Sequence, residues 1–110
     1  MVAAYVRSAE QHGLLTTVKH FPGHGDTATD SHMALGVVAG ARARLERVEL
    51  EPFRAAIAAG VSSVMTAHLA VPALEPDTRL PATLSRNVLT TLLREQMGFQ
   101  GIIVTDALEM

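Results

Sequence analysis

The chain has 110 residues, 48% of them hydrophobic, no cysteine and a formal net charge of −2. That length holds one domain at most, the charge balance gives no basic face for nucleic acid or an anionic membrane, and the missing cysteines exclude disulfides, thiolate metal ligands and cysteine nucleophiles. No apolar run approaches the ~20 residues of a membrane-spanning helix. Residues 1–8 carry no basic-then-apolar signal pattern, so a cytoplasmic location is expected.

In chain order, residues 2–12 predict a short helix closed by Gly13, followed by a strand over Leu14–Val18 that delivers Lys19 and His20 at its end. A polar loop then runs to about Gly40. From Leu45 the apolar positions Leu45, Val48, Phe53, Ala56 and Ile57 recur on one helical face, with Pro52 dividing the region into a turn and a second helix that Gly60 ends. Val61–Ala67 predicts a buried strand with His68 at its tip. After a proline-marked loop, Ser85 caps a helix striped by Val88, Leu89, Leu92, Leu93 and Met97, and Gly98 closes it. Ile102–Thr105 is a last short strand, with Asp106 at its C-terminal end. Apolar strands alternating with helices predict parallel β/α units. Three such units make an incomplete sheet, so the chain is expected to be a piece of a larger α/β domain.

The chemistry gathers in two places. The loop Lys19-His20-Phe21-Pro22-Gly23-His24-Gly25-Asp26-Thr27-Ala28-Thr29-Asp30-Ser31-His32 holds three of the five histidines. The predicted strands also end in polar groups, Lys19-His20, His68 and Asp106, which in a parallel barrel converge on the face where active sites lie. Asp30, two residues from His32, can accept an imidazole N–H and fix its tautomer; equally, Asp30 can cap a turn while His32 faces water. Asp106 suits a nucleophile at a strand rim, or the cap of a following helix. His24, Asp26, Asp30 and His32 offer donors that suit zinc or manganese, which would make a metal-dependent hydrolase. Adjacent strand residues face opposite ways, so spacing alone reads Lys19 as lining the site and His20 as a core histidine. His68 reads as structural, its ring bonding backbone or a carboxylate, and Arg42, Arg44 and Arg47 read as a solvated face.

Together, Lys19–Asp26, Asp30-Ser31-His32, Pro52–Ile57, Val64–His68, Pro81–Ser85 and Gly101–Met110 resemble glycoside hydrolase family 3, and more narrowly its β-N-acetylglucosaminidase branch. The resemblance covers nearly the whole chain beyond the first dozen residues. It implies a partial (β/α)8 TIM barrel, roughly the fifth to seventh strands with their helices, and makes residues 1–110 a fragment of the family's N-terminal catalytic domain. It implies a retaining β-N-acetylhexosaminidase with Asp106 as nucleophile, His32 as acid/base on a loop, Asp30 as its dyad partner, and Lys19 and His20 binding hydroxyls of the sugar ring.

Retaining hydrolysis needs a carboxylate to attack the anomeric carbon and an acid that then serves as base. An imidazole titrating near neutrality can do both jobs. The substrate so implied is terminal β-linked N-acetylglucosamine in cell-wall-derived sugars, with no metal or organic cofactor and no nucleic-acid or membrane partner. Transfer to phosphate instead of water, the metal-dependent hydrolase and a non-catalytic sugar-binding fragment stay open as alternatives.

Overall fold

A computed structural model describes residues 1–24 and 35–109. The element order is α1 (Val2–Gln11), β1 (Thr17–Phe21), β2 (Gly36–Val37), α2 (Arg42–Arg44), α3 (Glu51–Ala58), β3 (Ser63–Thr66), β4 (Leu69–Ala70) and β5 (Ile102–Thr105). A wider-wound turn over Leu45–Glu49 joins α2 to α3, a 3₁₀ turn covers Ala82–Leu84, and a helix with i→i+5 bonding spans Asn87–Gln96.

Two parallel sheets result. The larger has the order β1-β3-β5, and the smaller pairs β2 with β4. In the larger sheet Val18, Val64 and Ile103 lie level, and so do Phe21, Thr66 and Thr105. Helix-bearing segments lie between β1 and β3 and between β3 and β5, the connection that parallel pairing requires. The protein is thus an α/β fold.

Val64, Leu69, Val71, Val88 and Leu93 are fully or almost fully buried in one core with Phe21 and Phe53, whose rings meet edge to face at 5.1 Å. Pro52 sits in the first turn of α3, where its missing N–H costs no hydrogen bond. Ser85 Oγ accepts the Val88 N–H at 3.2 Å, so this serine does cap the last helix.

The predicted strand starts shift. β1 begins at Thr17 instead of Leu14, and β3 at Ser63 instead of Val61. Both shifts have one cause. Leu14 N–H returns to Ala9 O and Gly13 N–H to Glu10 O; Val61 N–H returns to Ala56 O and Gly60 N–H to Ile57 O. Each is the paired closure in which a glycine with positive φ and an apolar follower finish a helix. The apolar residue after each glycine therefore belongs to the helix end, and pairing starts later. As a result Lys19 and His20 lie within β1. The stretch predicted as loop to Gly40 includes β2, whose two residues are too short to show a period.

Glu10 ties the start of this sheet together. Its Oε1 accepts the Thr16 N–H at 2.9 Å, the Thr16 hydroxyl at 2.6 Å and the Ser62 hydroxyl at 2.6 Å. These bonds, that to Ser62 foremost, lower its pKa from 4.5 to about 2. Because the folded pKa lies below the unfolded one, the stabilisation is complete above pH 4.5 and fades as pH falls toward about 2. Glu10→Gln should remove that part of the acid sensitivity, measured by urea unfolding over a pH series; an unchanged acid profile would contradict the assignment.

Candidate active site

The backbone ladder sets the site. Beyond the level of Phe21, Thr66 and Thr105, Ala67 N–H donates to Phe21 O at 2.8 Å and Asp106 N–H donates to Thr66 O at 3.2 Å. The pairing therefore carries past the strand ends and fixes Asp106 beside Ala67 and His68, at the C-terminal rim of the sheet.

Asp106 has two differently engaged oxygens. Oδ1 accepts the Ala107 N–H at 2.8 Å, and Oδ2 lies 3.5 Å from His20 Nε2. The first contact is with the N–H of the very next residue, whereas a helix cap bonds an N–H two or three residues on. The second is longer than an ordinary hydrogen bond. The side chain of His20 is 30% exposed and that of Asp106 is 23% exposed, so His20 is not enclosed in the core.

The pairing of β1 with β3 shifts register between Val18 and Phe21, which breaks the simple alternation of faces at Lys19 and His20. The His20 and His24 rings meet edge to face at 5.2 Å. Gly23 N–H closes a turn on His20 O at 2.7 Å. At Gly23, φ is 117°, and a Cβ would stand 2.9 Å from Glu49 Cβ, so no side chain fits there.

The structure thus brings together His20 and Asp106, and sets Lys19 beside them in β1. Asp26, Asp30 and His32 lie outside the described residues. Among the described residues no group of three or more histidine, aspartate or glutamate side chains is arranged to hold a metal ion. His68 bonds Thr83 and the backbone of Ala107. Arg42 reaches Glu46 and Gln96, and Arg44 lies 3.9 Å from Glu49.

The His20 pKa lies below 6.5, chiefly because burial disfavours the charged ring; the Asp106 carboxylate opposes that shift, and Lys19 and His24 add to it. That shift favours the uncharged ring, so the contact with Asp106 becomes an ion pair only where the ring is protonated. Chemically, the rim offers a carboxylate with one oxygen held by backbone and an imidazole close to its other oxygen, with Lys19 preceding that histidine in β1. That set can attack an electrophilic carbon and hydrogen-bond hydroxyl groups.

The profile described as "Glycosyl hydrolase family 3 N terminal domain" matches residues 1–110. The chain belongs to glycosyl hydrolase family 3. Among curated proteins, this family 3 chain is 42% identical to "Beta-hexosaminidase A" of Pseudoalteromonas piscicida, over 97% of the chain and 20% of that protein. It is 41% identical to a "Beta-hexosaminidase" of Xylella fastidiosa, over 97% of the chain and 31% of that protein. Its structure superimposes on a family 3 β-N-acetylglucosaminidase from a Paenibacillus species with a TM-score of 0.93 and 58% identity, covering 98% of this chain and 20% of that one. The β-N-acetylglucosaminidase of Thermotoga maritima gives a TM-score of 0.84 at 36% identity, over 98% of this chain and 23% of that one. The chain therefore spans less than a third of the length of the relatives it matches.

The site geometry makes a prediction about charge. Native His20 takes up its proton at lower pH than the unfolded chain does, so its contribution to stability falls as pH drops below 6.5. Removing the negative charge in Asp106→Asn should lower the His20 midpoint further. Titration of its ring proton by NMR checks this; a midpoint that rises in the variant would refute it.

Proposed function

We propose that the chain is the part of a retaining β-N-acetylhexosaminidase that carries its nucleophile and its acid/base. The single observation behind this reading is the placement of Asp106: at the C-terminal end of a parallel strand, one oxygen held by the Ala107 N–H, the other 3.5 Å from His20. In a parallel β/α barrel that rim is where catalytic groups sit. Membership of the family and the names of its β-hexosaminidase relatives support the substrate class.

In the reaction, an Asp106 oxygen attacks the anomeric carbon of a terminal β-linked N-acetylglucosamine. The bond to the departing oxygen breaks as His32 supplies that oxygen with a proton. Water then gives a proton to the neutral His32 ring and its hydroxyl to the anomeric carbon, which releases Asp106. Asp30 orients His32, and Lys19 and His20 bind ring hydroxyls. No metal or organic cofactor enters these steps. The sugars would be cell-wall-derived.

Residues 1–110 supply β1, β3 and β5 as roughly the fifth to seventh strands of the barrel in the catalytic domain. Large apolar groups left open fit that assignment. Tyr5, Leu14, Leu15 and Ile102 are 61–83% exposed, and an apolar groove lined by Tyr5, Val6, Ala9, Leu14 and Val18 runs between α1 and β1.

The direct test is release of nitrophenol from 4-nitrophenyl N-acetyl-β-glucosaminide by the full-length protein, with and without chelator. Chelator-insensitive release is expected, and release that chelator stops would favour a metal-dependent hydrolase instead. In that protein Asp106→Ala should abolish turnover at every pH. His32→Ala should keep more activity on substrates with good leaving groups, which need less protonation; equal losses on all leaving groups would remove His32 from the acid role. The 110-residue chain alone should turn over the same substrate little or not at all, and a rate equal to the full-length enzyme would refute the barrel-fragment assignment.

A further inference from the structure

His68, just past β3, joins two parts of the rim. Its Nε2 lies 2.8 Å from the carbonyl oxygen of Ala107. A carbonyl oxygen only accepts, so Nε2 carries the hydrogen and donates it. On the other side of the ring, Nδ1 lies 2.9 Å from Thr83 Oγ1.

Thr83 is buried, and its hydroxyl also lies 3.0 Å from Ala67 O and 3.1 Å from Thr66 Oγ1. Thr66 Oγ1 in turn reaches Val104 O at 3.3 Å. The imidazole is therefore seated on buried hydroxyls anchored to β3 and β5. From there it grips the residue that follows Asp106.

Ala107 is held from both sides: its N–H by Asp106 Oδ1 at 2.8 Å, its carbonyl by His68 Nε2. We propose that His68 is a positioning residue for Asp106. It fixes Ala107, whose N–H engages Oδ1 and so leaves Oδ2 as the oxygen turned toward His20 on the reactive face. This role rests on the reading of Asp106 as the nucleophile. His68 acts through Ala107 and needs no contact with the sugar, since both ring nitrogens are engaged within the protein.

The effect of losing it belongs to bond formation and spares ground-state binding. A misplacement of about 1 Å costs a reacting group on the order of 10²-fold in rate.

The test uses the full-length enzyme and a 5-fluoro glycosyl fluoride of N-acetylglucosamine, which labels the nucleophile. The labelling rate and the labelled residue come from mass spectrometry, the affinity for N-acetylglucosamine from calorimetry, and Tm from calorimetric scans. His68→Leu should slow labelling about 10²-fold while leaving the affinity unchanged. His68→Gln, whose amide nitrogen can take the place of Nε2, should recover most of the rate. If His68→Leu does not fold, His68→Asn, too short to reach Ala107, should label as slowly as expected for Leu and well below Gln. Label on a residue other than Asp106 in the wild-type enzyme overturns the nucleophile reading and this one with it. Label on Asp106 at the wild-type rate in a folded His68→Leu, an equal loss of affinity and rate, or Gln labelling no faster than Leu or Asn overturns the positioning role alone.

Discussion

Everything at the rim depends on the register of three parallel strands. Thr66 stands level with Phe21 on one side and Thr105 on the other, and backbone bonds from Ala67 to Phe21 and from Asp106 to Thr66 continue that alignment past the strand ends. Parallel strands present their C-terminal ends on the same side, so a histidine near the end of β1 and an aspartate after β5 meet without any sequence proximity. A slip of one residue in β5 would turn Asp106 to the opposite face. The catalytic carboxylate proposed above is thus placed by main-chain pairing, with Oδ1 held by the Ala107 N–H and Oδ2 near His20.

The buried polar groups near the rim serve the same end. Thr66 and Thr83 are almost fully buried, yet each hydroxyl has a partner, which offsets the cost of taking a polar group out of water. Glu75, also largely buried, spreads its carboxylate over the Asp77 N–H, the Ser85 hydroxyl and the Asn87 amide. That arrangement pins the proline-marked loop to the start of the last helix, and so holds Thr83 beneath His68.

Sequence reading was accurate where a single physical cause dominated. β5 is an apolar run after a glycine, and its bounds emerge as expected. The helix over Asn87–Gln96 announces itself by its apolar stripe, and Ser85 by its capping position. It failed where two roles compete for one residue. Leu14 and Val61 look like strand starters because they are apolar, but their N–H groups close the preceding helices. Local hydrophobicity does not record that bond, and the Gly-apolar pair at each helix end was the available sign. At the site, the coincidence of polar groups at strand ends was legible from order alone. The partly exposed setting of His20 was not, because alternation predicts the opposite face and the register shift in β1 overrides it. Nor did any spacing link His68 to Ala107, which are 39 residues apart.

That last separation has a consequence for how the molecule acquires its site. Thr17 and Ser63, bonded at the entrance to the sheet, are 46 residues apart, and the contact of His68 with Ala107 spans 39, so the contacts that join one strand segment to another close long loops of chain. Contacts of this kind slow folding, because the entropy of closing such loops must be met before they are rewarded. Substitutions far from Asp106 that loosen strand pairing would consequently reduce the number of molecules possessing a site, while those that do possess it react at their normal rate.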